Sequence, residues 1–153
     1  MFQGLNVKSG YFHLLSADQL FRDLTPKSLA LLGKLKQTKN FRKGTCLFSR
    51  GDPARGIYLL RKGQAQLVFG DEAKDMPAAC LIAPNELFGL TESFADLPYE
   101  TRAETITACL CDFFEREDFI RFLQAEPQIC FRLAQLLAAS LQKNFRLFSS
   151  KIR

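Results

Sequence analysis

The residues that could carry out chemistry are few and scattered. His13 is the single histidine of the 153 residues, and it sits in an apolar stretch beside Tyr11, Phe12, Leu14 and Leu15. Zinc and non-haem iron sites usually take two or three imidazoles, and a nucleophile triad needs one held beside its nucleophile. A structural role for His13 therefore outweighs a catalytic one, and the count speaks against an enzyme. Cys46, Cys80, Cys109, Cys111 and Cys130 contain no CxxC pair and no compact run of the kind a [4Fe–4S] cluster needs. They read as reduced thiols, and no metal site is expected.

Charge is the other raw material. Residues 1–62 carry 12 basic and 3 acidic side chains, residues 63–128 carry 4 and 13, and residues 129–153 carry 5 and none. The net +5 thus hides blocks of +9, −9 and +5. A polyanion-binding protein does not usually place such an acidic block mid-chain. The basic run Lys34, Lys36, Lys39, Arg42 and Lys43 offers direct nucleic-acid binding as one reading, and a solvated turn after a helix as the favoured one.

The elements that must position these residues follow from punctuation and period. Thr25-Pro26 marks a helix start, with Thr25 as N-cap, Pro26 in the first turn and Leu29, Leu32 and Leu35 on one face. A shorter helix over Ala17–Phe21 precedes it, so residues 1–40 read as a helical segment. From Phe41 the texture changes. Short apolar runs (Cys46–Phe48, Ile57–Leu60, Leu67–Phe69, Ala79–Ile82, Cys109–Asp112) alternate with glycines and prolines, the pattern of an antiparallel sandwich or barrel. Phe119, Phe122 and Leu123 then form a helical stripe behind Glu115, Glu117 and Asp118. Pro127 opens a second helix that can run to Ile152 without another Pro or Gly, about 39 Å at 1.5 Å per residue. Its apolar positions, Cys130, Ala134, Leu137, Leu141, Phe145, Phe148 and Ile152, recur at spacings of three and four. The outer ones have no evident intramolecular partner, so a two-stranded coiled coil with a second copy is expected.

The segment FRKGTCLFSRGDPARGIYLLRKGQAQL, from Phe41 to Leu67, closely resembles the cyclic-nucleotide-binding domain of Crp/Fnr transcription regulators. The residues that carry the resemblance are Gly44, Leu47-Phe48, Gly51-Asp52, Ala54, Ile57-Tyr58-Leu59-Leu60 and Gly63, followed by Phe88-Gly89 and Arg116. The resemblance covers roughly residues 15–153. It implies a mainly β fold, a double-stranded β-helix (jelly roll) with flanking helices and a long C-terminal dimerisation helix. The implied organisation is a helical segment 1–40, a β-roll effector-binding domain 41–126 with a phosphate-binding cassette at 88–102, and a dimerisation and signalling helix 127–153. The DNA-binding helix-turn-helix of full-length regulators has no counterpart before Arg153. The same jelly roll hosts metal-dependent cupin enzymes, whose His-x-His motif cannot be assembled around His13 alone.

The cassette that the resemblance points to comprises Phe88, Gly89, Leu90, Thr91, Glu92, Ser93, Tyr99, Glu100, Thr101 and Arg102. Leu90 stands where nucleotide-binding members carry a ribose-holding glutamate, and Tyr99 where they carry a phosphate-gripping arginine. Arg102 is the nearby cation, on the opposite strand face from Tyr99. Asn144 and Phe145 replace the adenine-contacting hydroxyl pair on the long helix. A buried cyclic phosphate needs a cation or converging N–H donors, so these departures disfavour a cyclic nucleotide. Haem held by His13 or Cys80 is a weaker alternative. The functional expectation is a sensing domain for an unidentified small effector, with DNA reached only through a domain outside this chain. A stand-alone interaction module with a degenerate pocket is the competing reading. A homodimer interface is expected over Ala134, Leu137, Leu141, Phe145, Phe148 and Ile152. The start MFQGLNVKSG lacks an apolar core, and no window reaches the ~18 apolar residues of a membrane span, so a cytoplasmic protein is expected.

Overall fold

The computed structural model describes residues 5–6, 14–69 and 78–151. His13 and Ile152, and the side chain of Phe148, lie outside the described residues. The chain runs β1 (Leu5–Asn6), α1 (Ala17–Leu20), α2 (Pro26–Leu35), β2 (Gln37–Phe41), β3 (Cys46–Phe48), β4 (Gly56–Lys62), β5 (Ala65–Phe69), β6 (Ala78–Ile82), β7 (Leu87–Phe88), α3 (Leu90–Ala95), β8 (Arg102–Thr105), β9 (Cys109–Glu115), α4 (Arg116–Ala125) and α5 (Pro127–Lys151).

Two sheets form the roll. One has the order β1-β6-β5-β8-β3 and the other β2-β9-β4-β7. All pairs are antiparallel except β1 with β6. The interior between the sheets is filled by Phe48, Leu60, Leu67, Cys80, Ile82, Phe88, Ala103, Cys109 and Cys111. Burial of Cys111 among apolar neighbours pushes its thiol up to about 12, and burial raises Cys109 as well. Both behave as small core hydrophobes.

A second core lies outside the roll, where the helices cover the β4–β9 face. Ile57 and Leu59 of β4 and Phe114 of β9 meet Leu20, Leu32, Phe119, Phe122, Leu123, Ile129 and Leu133 there. Strand β4 is therefore covered on both faces, which explains why it reads as an unbroken apolar run rather than an alternating one. On the same strand Tyr58 turns inward, stacked on Phe88 at 5.2 Å, and burial raises its hydroxyl to about 12.

Several local expectations are met by geometry. Thr25 Oγ1 accepts the Ser28 N–H as an N-cap, and Pro26 occupies the first turn. Ser16 and Gln19 close a capping box over α1. Other details differ. Strand pairing already begins at Gln37, inside the segment expected to be helical, because β2 lies along β9 from Gln37–Phe113 to Phe41–Cys109. On α2 the inward face is Ser28, Leu32 and Leu35, whereas Leu29 is 53% exposed. Ser28 reaches the Glu126 carboxylate and so ties α2 to the α4–α5 junction. Among the basic run, Lys36 lies 3.9 Å from the buried Asp112 and Lys39 sits over the Phe113 ring.

Helix α5 docks by its first half. Ile129 and Leu133 are buried, Leu136 and Leu137 pack against the same core, and Arg132 donates to the carbonyls of Leu20 (3.1 Å) and Arg22. Among the described side chains of α5, the exposed large apolar residues are Phe131, Leu141 and Phe145. With Ala134 and Ala138 they recur at alternating spacings of three and four, the spacing a coiled-coil seam would require. Leu137, expected in that seam, instead faces the core. No helix among the described residues is long and apolar enough to cross a membrane.

Candidate functional site

Between the roll, the short helix α3 and the middle of α5 lies a cavity of about 370 Å³. Leu67 of β5 and Thr101 supply the roll side, and Leu14 and Leu15 reach it from the amino-terminal segment. Leu87, Phe88, Gly89, Leu90, Thr91 and Glu92 form the wall contributed by β7 and α3. Leu137, Ser140, Leu141 and Asn144 close it from α5. This volume falls in the range of small-ligand sites.

The position of α3 is fixed from behind. Gly89 caps it in a left-handed conformation, φ +75°. A Cβ there would come within 3.1 Å of both the Gly56 carbonyl and the Tyr99 ring. Gly56 leaves still less room, since a Cβ would fall 2.2 Å from the Phe114 carbonyl oxygen. The Tyr99 hydroxyl donates to the Gly56 carbonyl at 2.6 Å and accepts the Gly56 N–H at 3.1 Å. Ser93 Oγ donates to the same carbonyl at 2.9 Å, and Arg116 Nε donates to the Ser93 carbonyl at 2.7 Å. The Tyr99 ring stacks on Phe48 with centroids 3.7 Å apart, and burial raises its hydroxyl above the usual phenol range.

Seven of the residues that the sequence assigned to a ligand site are brought together around this cavity: Phe88, Gly89, Leu90, Thr91, Glu92, Thr101 and Asn144. The others stand elsewhere. Ser93 and Tyr99 are buried behind α3, not on its cavity side. Glu100 is exposed, and its backbone N–H donates to Glu92 Oε2 at 3.2 Å. Arg102 lies on β8 with Nε 3.3 Å from Glu104. Phe145 is 64% exposed and absent from the lining, as is Cys80, which is buried in the roll core. Sequence reasoning missed Leu14, Leu15, Leu67, Leu87 and Ser140, and assigned Leu137 and Leu141 to a dimer seam alone. Ser140 was accessible to it, lying one helical turn before Asn144 on the same face.

No lysine, arginine or histidine is among the described residues lining the cavity. Its polar residues are Thr91, Thr101, Ser140, Asn144 and Glu92. The first-turn N–H groups of α3 carry partial positive charge, and Glu92 stands in that same turn.

Residues 38–126 match the family model described as cyclic nucleotide-binding domain. A CRP-like cAMP-activated global transcriptional regulator of Mycobacterium tuberculosis is 26% identical over 132 residues, which are 85% of this chain and 58% of the regulator. The chain thus spans under two thirds of that relative's length. Among solved structures, the catabolite activator protein of Thermus thermophilus superposes with a TM-score of 0.77 at 23% identity, over 86% of this chain and 62% of that one. The N-terminal domain of a transcriptional regulator from Streptomyces coelicolor A3(2) gives a TM-score of 0.71 at 22% identity, over 86% and 92%. Jelly roll, cassette and docked long helix agree with the sequence match, and the chain belongs to the cyclic nucleotide-binding domain family, related to CRP-like transcription regulators.

Proposed function

We propose that this chain is the effector-sensing domain of a Crp/Fnr-like transcription regulator, and that its effector is not a cyclic nucleotide bound in the family's usual mode. The observation that carries the sensing role is the shared wall of the cavity. A ligand there touches the roll through Leu67 and Thr101, the cassette through Leu90 to Glu92, and the long helix through Leu137 to Asn144. Its differential contacts can therefore bias the position of α5. The departure from nucleotide binding rests on Leu90, on Tyr99 and on the charge of the lining. Tyr99 fills its site as a packed hydroxyl partner of Gly56, and nothing cationic among the described lining residues replaces the family arginine. A desolvated phosphate without a cation, with the Glu92 carboxylate on the same wall, is unfavourable.

Output follows from α5. The exposed seam of Phe131, Ala134, Leu141 and Phe145 pairs with the same seam of a second copy, and DNA is reached through a domain outside this chain. The site reads as a binding site, a mostly apolar concavity with a few polar residues. The setting is cytoplasmic, with the thiols reduced.

Titration calorimetry with cyclic AMP and cyclic GMP tests the ligand side of this reading. Neither is expected to bind more tightly than ~1 mM, about −4 kcal/mol. Low-micromolar binding of either would overturn the reading of Leu90 and Tyr99. A domain that binds no small molecule and still captures a protein partner would favour the stand-alone interaction module.

A further inference from the structure

The lining of the cavity narrows the chemistry of what can occupy it. Leu14, Leu15, Leu67, Leu90, Leu137 and Leu141 present apolar surface from four directions of the chain. Polar groups come from α3, as Thr91 and Glu92, and from α5, as Ser140 and Asn144 one turn apart, with Thr101 on the roll side. The feature most favourable to an anion is the first turn of the six-residue α3, whose Leu90, Thr91 and Glu92 N–H groups have no acceptor within the helix. Glu92 occupies that turn and already complements the partial charge. An incoming carboxylate or phosphate would meet Glu92 as a like charge in a partly dehydrated space, where screening is weak.

A donor meets the opposite situation. Glu92 Oε2 accepts the Glu100 N–H at 3.2 Å, and Oε1 has no protein partner among the described residues. Glu92 is half-buried, so an ion pair formed there is shielded from bulk water on one side. Ser140 and Asn144 add neutral hydrogen-bonding groups on the facing helix.

We propose that the cavity takes a small molecule with an apolar body and a hydrogen-bond-donating head group directed at Glu92, an amine in preference to an alcohol, and that it rejects carboxylates and phosphates. The proposal rests on the reading of this cavity as the effector site. It adds to that reading the charge and polarity of the effector.

Three probes with one body and three head groups test it: 4-phenylbutylamine, 4-phenylbutanol and 4-phenylbutyrate, titrated calorimetrically into the full chain, with cyclic AMP as a fourth titrant. The amine is expected to bind at least ~10-fold more tightly than the carboxylate, with the alcohol between them. Glu92→Gln keeps an oxygen for the Glu100 N–H and should fold as the parent does. It is expected to lower amine affinity by at least ~10-fold and to leave the alcohol within ~3-fold. Equal or tighter binding of the carboxylate overturns the proposal, and so does amine affinity that Glu92→Gln leaves unchanged. Silence from all three probes and from cyclic AMP overturns the ligand class alone. Micromolar binding of cyclic AMP overturns the reading beneath it.

Discussion

Replacing Tyr99 by phenylalanine separates a structural role for this residue from a ligand-contacting one. The hydroxyl is held on both sides by one residue, donating to the Gly56 carbonyl and accepting the Gly56 N–H. Removing the oxygen leaves the carbonyl with Ser93 as donor but leaves the N–H, which is buried, without its acceptor. An orphaned buried amide costs about 1–3 kcal/mol. The ring itself, stacked on Phe48, is retained, so no cavity contribution is added. At ~2–4 °C per kcal/mol for a chain of this size, a loss of about 2 kcal/mol lowers the thermal midpoint by ~4–8 °C. Circular dichroism at 222 nm and urea titration measure it. Because Tyr99 does not line the cavity, affinity for any ligand found there should stay within ~2-fold, whereas Thr101→Val, on the lining, should alter it. A Tyr99→Phe variant within ~0.5 kcal/mol of the parent would show that the hydroxyl does not pin the cassette, and the account of α3 would fail.

Three other outcomes are expected. Leu133→Ala removes a fully buried side chain where α5 meets the helical core, and should cost about 2–5 kcal/mol by urea unfolding. Stability should fall in alkali: Cys111 and Tyr58 hold their protons more tightly folded than unfolded, so their contribution is intact below pH 9 and is lost as pH rises towards about 12. Urea midpoints across pH 8–12 follow this, and Cys111→Ala should remove the part that begins near pH 9. Phe145→Glu, at a side chain 64% exposed, should convert a dimer to a monomer in sedimentation equilibrium with little change in the far-UV spectrum. A parent chain that is already monomeric at micromolar concentration would refute the seam.

The fold was legible because its turns are written in residues with few alternatives. Gly44, Gly51 and Gly63 all adopt positive φ, and Thr25-Pro26 caps α2 as its type and place require. Strand β4 was visible as an apolar run, and α5 as a helix with no break after Pro127. What escaped was short or polar. Strand β2, QTKNF, has no apolar alternation and exists because β9 supplies its partner. Strand β7 is two residues long, and β8 alternates over only four, too short a stretch to stand out as a strand. The site was half legible. The cassette turn gave Phe88 to Glu92, while Leu14, Leu15 and Leu67 look like any core leucine until the chain is folded. On α5, one stripe was expected and two faces exist: Ile129, Leu133 and Leu137 turn to the core, Phe131 and Phe145 turn away, and Leu141, although exposed, lines the cavity between them. Spacings of three and four fit both, and what divides them is the tertiary packing of α4 and α1 against α5.

If occupancy of the cavity is transmitted to the long helix as proposed, hydrogen exchange measures it across the cavity. Leu67→Trp and Thr101→Phe fill it from the roll side, at residues on the wall opposite α5. In both folded variants, amides of residues 138–146 are expected to change protection by at least ~5-fold, while those of α4 stay as in the parent. Unaltered protection over 138–146 in both variants would contradict the claim.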